Sequence, residues 1–341
     1  MKQVFIIGAG IAGLTAGIYA RQSGFDVTIY ESHSIPGGAS TSWRRNGYYF
    51  EGGLHWLTGS SPKTQLNKLW REVGALDDTV EIHNRDPFFS FEMDGARACL
   101  YRDVETLRKH LTTISPADRK EINRLCADVK KFIKMQMPVM DLPKLKAKHP
   151  AKFPMSMLFS MLPALPRMKY YQDIMTREYA EKFKSPLIRK LICNMIGDSF
   201  NASGVVFTIA TLAAGDGGYP VGGSLAMANR MAKHFLSLGG TIKYKTPVEK
   251  VVVEQGAAKG ILIAGETIAA DAVIVTQDTL RAIDTLFDEP IREPWAERMR
   301  RETEPVLNVF VGLGVQADLS DMPANCTFPL EEPIRIGELA F

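Results

Sequence analysis

The chain opens on an apolar run, Val4-Phe5-Ile6-Ile7, that breaks at glycine and gives way to a helical stretch closed by Gly24. A second apolar run, Val27-Thr28-Ile29-Tyr30, then ends in Glu31. Short apolar runs bounded by glycine read as buried strands, and the order strand, glycines, helix, strand, acid predicts the start of a βαβ unit. From about residue 78 to 214 the pattern becomes mainly helical, with amphipathic stretches around 103–110 and 115–135. Ser115-Pro116-Ala117-Asp118 predicts a helix start, with a cap residue, proline in the first turn and an early acid. A helix is expected over 225–238, stopped by Gly239-Gly240. Short β-rich pieces at 241–244, 248–254, 260–263 and 267–269 precede a last apolar run at 271–276. The first and last of these are expected to join the parallel sheet, and the middle pieces to form a meander. Residues 306–313 also have strand character and are expected to return to a second domain.

The glycines between the first strand and helix carry the chemistry. In Gly8-Ala9-Gly10-Ile11-Ala12-Gly13, Gly8 makes the tight turn, Gly10 lets a pyrophosphate approach the backbone, and Gly13 lets helix and strand pack closely. The helix N-terminus offers unpaired N–H groups and a positive dipole end to phosphates. Glu31 is placed to accept hydrogen bonds from a ribose 2′-OH, and its carboxylate would repel a 2′-phosphate, which argues against NADP. Together these features predict a dinucleotide site.

Composition narrows the alternatives. With 341 residues, 45% hydrophobic and 23% charged, the chain is long enough for two domains and ordinary for a globular protein. A formal charge of +3, with no basic run interleaved with aromatics, argues against nucleic-acid binding. Cys99, Cys126, Cys193 and Cys326 form no C-x-x-C pair and read as reduced cytosolic thiols. No metal site is expected, because no H-E-x-x-H spacing occurs, and no Ser-His-Asp set or paired carboxylate is evident. The amino-terminal apolar run is broken by Gly8 and Gly10 and belongs to the nucleotide fold rather than to a signal peptide. No apolar run reaches the roughly twenty residues of a spanning helix.

Charge is nonetheless uneven. Residues 130–190 hold fourteen Lys and Arg against four Asp and Glu, an excess of ten. Those cations alternate with Met155, Met157, Leu158, Phe159, Met161, Leu162, Leu165 and Met168, a composition suited to an anionic membrane surface. The alternative is a cap helix packed on the core with solvated lysines. The expected location is the cytoplasm, with contact at the inner face of the membrane through 130–190.

Beyond Glu31 come Ser32 and a second glycine loop, Pro36-Gly37-Gly38-Ala39-Ser40-Thr41. An adjacent Gly-Gly with small neighbours lets the chain surround an extended diphosphate and ribityl chain, which favours FAD over NAD. Phe50-Glu51-Gly52-Gly53-Leu54-His55 follows, and a third glycine-rich loop, Gly215-Asp216-Gly217-Gly218-Tyr219-Pro220-Val221-Gly222-Gly223-Ser224, lies much later.

Taken in order, G-x-G-x-x-G, the acid, P-G-G and F-E-G-G-L-H resemble the flavoprotein superfamily of amine oxidases and phytoene desaturases. Within it, the chain most resembles the phytoene desaturase, carotenoid isomerase and retinol saturase group of FAD-dependent oxidoreductases. The resemblance implies a Rossmann-like α/β FAD-binding domain with a β-meander, plus a mainly helical α+β substrate or cap domain. It implies that Gly8, Gly10 and Gly13 hold the pyrophosphate, Glu31 the adenosine ribose, and Gly37-Gly38 the neighbouring phosphate and ribityl region. Gly53-Leu54-His55 would approach the isoalloxazine ring, Val248 would pair through its backbone with the adenine edge, and Thr276 would pass the cofactor. Members often carry an arginine after the Gly-Gly pair, where this chain has Ala39, with Arg44 and Arg45 the nearest substitutes. The third loop would lie near the flavin and substrate passage; a flexible linker returning to the first domain is its other reading, and the two are compatible.

The expected domains are 1–77 with 215–290 for FAD, and 78–214 with 291–341 for substrate. The resembled family continues well past the point where this sequence stops, so the chain reads as truncated. The expected function is FAD-dependent desaturation, saturation or isomerisation of an apolar isoprenoid or carotenoid-like small molecule. An amine or porphyrinogen oxidase of the same fold, and a non-catalytic FAD-binding fragment, are the alternatives. His55 is the one side chain singled out as catalytic, since imidazole suits proton transfer at neutral pH, and a structural hydrogen bond is its other reading.

Overall fold

The computed structural model describes residues 1–135, 162, 164–303, 310–319, 325–327, 329, 335–336 and 339–340. The chain divides into two compact units, the first built from 1–55, 69–81 and 220–316, the second from 56–68, 82–219 and 317–341.

In the first unit, strand β1 (Gln3–Ile7), helix α1 (Ile11–Gln22) and strand β2 (Asp26–Tyr30) form the expected βαβ start. β3 (Ser42–Arg45) and β4 (Tyr48–Glu51) pair as an antiparallel hairpin. Helix α2 (Gly223–Ser237) is followed by β5 (Thr241–Lys243), β6 (Lys250–Glu254), β7 (Ala257–Ile263), β8 (Glu266–Ala269) and β9 (Ala272–Val275). Helices α3 (Thr279–Thr285) and α4 (Pro294–Glu302) complete it. The parallel sheet has the order β9-β1-β2-β5, and β6-β7-β8 form the separate meander.

Because β1 lies inside a parallel sheet, Val4 to Ile7 are all buried, which explains an apolar run without polar alternation. α1 packs on α2 at a point where bulk is excluded: a Cβ on Gly17 would come within 2.9 Å of the Phe235 ring and 3.0 Å of Ile29. Between sheet and meander, Phe5, Ile7 and Tyr30 share a core with Val251, Ile261, Ala282 and Leu286.

The second unit wraps helices 104–114, 119–132, 165–172, 176–180, 186–196 and 202–213 around the hairpin 89–93 and 96–100. Asp128, 2% exposed, lies within it and accepts from Arg167 Nε at 2.7 Å, Tyr171 OH at 2.9 Å and Lys131 Nζ at 3.2 Å. Lys130 pairs with Glu105, and Lys169 with Asp173. Several cations of the basic stretch are thus paired with carboxylates of the fold, while Met155, Met157, Leu158, Phe159 and Met161 lie outside the described residues. Among the described residues, no helix is long and apolar enough to cross a membrane.

Three expectations need correction. The helix expected to start at Ser115 begins as a 3₁₀ turn at 116–118 and becomes α-helical at Arg119. Asp118 accepts from the backbone N–H groups of Lys184 and Ser185 rather than serving its own helix, so its role depends on a contact distant in sequence. The unit boundaries also differ from the expected ones. Residues 291–316 group with the sheet, where Arg300 of α4 bonds Asp284 of α3, and 56–68 group with the second unit. Finally, 310–313 adopt no regular strand and pack on the β3–β4 hairpin, with Phe310 edge-on to Trp43 at 5.7 Å, while 304–309 fall outside the described residues.

Glu51 fixes the turn after β4. Its carboxylate accepts from the N–H groups of Gly53 and Leu54 at 2.9 Å, Ser224 N–H at 2.8 Å and Ser42 Oγ at 2.9 Å. Burial pushes its pKa up, but these donors outweigh burial and hold it below the usual 4.5. The stability it contributes is therefore complete above pH 4.5 and is lost as pH falls through the lowered folded value. We expect Glu51→Ala to lose about 1.5–3 kcal/mol at neutral pH in urea melts, with the gap to wild type closing below pH 4.5. A gap unchanged at low pH contradicts this account.

His110 offers a second titration in the other unit. Its Nε2 accepts from Cys99 N–H at 2.9 Å, which requires neutral imidazole, and burial pushes its pKa below 6.5. Its contribution is intact above 6.5 and is lost as pH drops through the depressed value. An NMR titration is expected to place the His110 midpoint below 6.5, and a midpoint at or above it rules out the assignment.

Candidate functional site

The turn from β1 into α1 is set by main-chain contacts. Gly8 has φ +104°, donates to Tyr30 O at 2.8 Å, and lies against Thr276. A Cβ at Gly13 would fall 1.9 Å from the Gly8 carbonyl oxygen, so only glycine permits this helix to start so close to the strand. Gly10 caps α1 without a side chain, and the first helical turn carries no acid, so the helix's own residues leave its N–H groups without a side-chain cap.

The second glycine loop is drawn onto this turn. Gly37 N–H donates to Ala9 O at 2.8 Å, and a Cβ on Gly38 would come within 3.3 Å of Gly10 Cα. Gly37 itself sits at φ +117°, where a Cβ would lie 2.4 Å from Ser40 O.

Glu31 is 8% exposed and held by donors from both sides. Its Oε2 accepts from Ala9 N–H at 2.7 Å and its Oε1 from His33 N–H at 2.8 Å, with Ser32 Oγ at 3.4 Å. Charge-assisted bonds of this kind fix the carboxylate before any ligand arrives, with oxygen lone pairs left to accept from a hydroxyl.

These elements border one cavity of about 810 Å³ at the carboxyl ends of the parallel strands. Gly8, Gly10 and Ile11 line it from the α1 turn, and Glu31 and Ser32 from the end of β2. Gly37, Gly38, Ala39 and Ser40 supply the second loop, with Val248 and Thr276 opposite. Ala9 and Gly13 lie behind this surface and position it through the Glu31 bond and the strand contact. Ala12 sits on the first turn of α1. Thr276 holds the glycine turn, its Oγ1 donating to Ile7 O at 2.9 Å.

Gly53, Leu54 and His55 do not line this cavity; His55 is exposed, one residue past the turn that Glu51 fastens. Arg44 and Arg45 are exposed on β3, the former 5.8 Å over the Tyr49 ring. The lining also includes residues that the sequence reading did not select, notably Tyr30, Glu249, Asp278 and Arg281. For Asp278 and Arg281 the signal was positional: the residues just after β9 share the carboxyl edge of the sheet with the glycine turn.

In the second unit, Asp216 gathers the loop 59–61, accepting from Gly59 N–H at 2.8 Å, Ser61 N–H at 2.8 Å and Ser60 Oγ at 3.1 Å. Arg102 bonds the carbonyls of Leu212, Asp216 and Gly217 at 2.9–3.0 Å. The Gly215–Gly218 part of the third loop is therefore tied down within the second unit. Beside Asp216 lies a cavity of about 370 Å³ with a mostly apolar wall that includes Phe132, Ile133, Met135, Met168 and Phe207. Among the described residues, no cluster of His, Cys, Asp and Glu could hold a metal ion.

Residues 11–325 match the family described as flavin containing amine oxidoreductase. The chain is 26% identical to a phytoene desaturase (neurosporene-forming) from Cereibacter sphaeroides, over 91% of this chain and 59% of that protein. It is also 26% identical to the chloroplastic prolycopene isomerase of Daucus carota, over 96% of this chain and 54% of that protein. The chain thus spans little more than half the length of these curated relatives. A putrescine oxidase variant of known structure superposes with a TM-score of 0.57 at 20% identity, covering 88% of this chain and 63% of that one, which shows a shared fold. A family match across most of the sequence, on a glycine-lined cavity at the edge of a parallel sheet, establishes that this chain belongs to the flavin containing amine oxidoreductase family.

Proposed function

We propose that the chain binds FAD through the glycine-lined cavity and acts as a desaturase, saturase or isomerase on an apolar, isoprenoid-like substrate. The observation that carries the reading is Gly10. The neighbouring glycines are demanded by the fold, Gly8 by its φ and Gly13 by the strand behind it. Gly10 is not: its φ is an ordinary −68°, and an added Cβ would meet nothing nearer than Gly37 O at 3.8 Å. A glycine that the protein does not need, on the wall of a cavity and at a helix N-terminus, suits close approach by a diphosphate. Glu31 would hold the ribose hydroxyls, and the Gly37–Ser40 backbone would surround the next stretch of the cofactor.

Bound FAD supplies reversible exchange of hydride or electrons, which these side chains do not offer on their own. The protein's part is to grip, orient and desolvate. The apolar-walled cavity of the second unit supports a hydrocarbon ligand, as do the carotenoid substrates in the relatives' names. Contact with an anionic lipid surface through 130–190 belongs to the same proposal, and vesicle binding that is insensitive to salt contradicts its electrostatic part.

Two alanine substitutions test the cavity. Gly10→Ala is expected to shift stability by less than about 1 kcal/mol while weakening FAD binding at least about tenfold. Gly13→Ala is expected to disrupt the βαβ unit itself, seen as loss of cooperative melting. Unaltered FAD affinity in Gly10→Ala, measured by flavin fluorescence, defeats the proposed cofactor site.

A further inference from the structure

We propose that Arg281 is the side-chain cation that neutralises the phosphates of the bound dinucleotide, an assignment that rests on the cofactor reading above. The argument begins with charge in the cavity wall. Glu31, Glu249 and Asp278 line it, and Arg281 is the one lining cation among the described residues. The rim that would face the diphosphate, Gly8, Gly10 and Gly37 to Ser40, bears no charged side chain. An acidic wall repels an anionic ligand, and a nearby cation offsets that repulsion alongside the peptide N–H groups of α1.

The local structure leaves Arg281 available for that task. It stands in the first turn of α3, where its backbone N–H donates to Asp278 Oδ1 at 2.8 Å and occupies that oxygen in capping the helix. Its exposed guanidinium makes no hydrogen bond or ion pair with any described residue, although two other carboxylates line the same cavity. Three other arginines of the unit are committed: Arg21 to Asp26 and the carbonyls of Phe25 and Leu238, Arg300 to Asp284 and Glu297, Arg230 to Ala75 O. β9 delivers α3 to the glycine turn, since Thr276 touches Gly8 and Thr276, Gln277 and Asp278 line the cavity in succession. A planar fork of donors at that edge suits phosphate oxygens.

ADP titrated by calorimetry into wild type, Arg281→Gln and Arg281→Lys over a series of salt concentrations tests the assignment. The side chain supports no neighbour, so both variants are expected to melt as wild type does. We expect Arg281→Gln to weaken ADP binding about tenfold at low salt, a gap that narrows as salt rises, with Arg281→Lys retaining most of the affinity. Undiminished affinity in Arg281→Gln overturns the proposal. So does a loss that is equal at every salt concentration and not relieved by lysine, which points to stacking of the guanidinium on adenine. If wild type itself binds no ADP, the dinucleotide site falls, and the role of Arg281 falls with it.

Discussion

Close approach of main chain to main chain at the start of α1 is the constraint on which this fold is organised. The helix can leave the strand so abruptly only because position 13 has no Cβ to strike the Gly8 oxygen. That proximity brings Ala9 within reach of two partners at once: its N–H donates to Glu31, and its carbonyl accepts from Gly37. Strand, helix, acid and second glycine loop are therefore mutually positioned by hydrogen bonds that involve almost no side chain. The result is a wall of peptide groups around a cavity of about 810 Å³, rigid because each piece is held by the others.

Buried or half-buried carboxylates recur as organisers of loops. Glu31, Glu51, Asp118 and Asp216 lie in different parts of the sequence, yet each accepts from backbone N–H groups. Burial opposes their charge, and peptide dipoles return the stabilisation without requiring a lysine or arginine in the interior. Asp128 contrasts with them, because its partners are the side chains of Arg167, Lys131 and Tyr171, as befits an acid that links helices rather than loops.

Local pattern was enough to read the βαβ start, the meander, and α2, since each rests on periodicity and glycine stops within a short window. The glycines and Glu31 were legible for the same reason: their spacing is their mechanism. What escaped the sequence depended on distant partners. Nothing near Asp216 announces a grip on residues 59–61, and nothing near Phe310 announces contact with Trp43. Arg281, on a helix the sequence reading did not mark, reaches the cavity edge only because the sheet places it there. The unit boundaries slipped because α4 and 310–316 pack back on the first unit, a choice made by tertiary contact rather than by composition.

The clasp around Asp216 has an evolutionary corollary. It reads Ser61 through its peptide hydrogen, so the bond itself does not depend on which side chain stands there, whereas Gly59 is held to glycine by its φ of +91°. Position 216 has no such latitude. An asparagine there would turn an amide N–H toward donors that already offer hydrogens, leaving two polar groups facing each other without an acceptor between them.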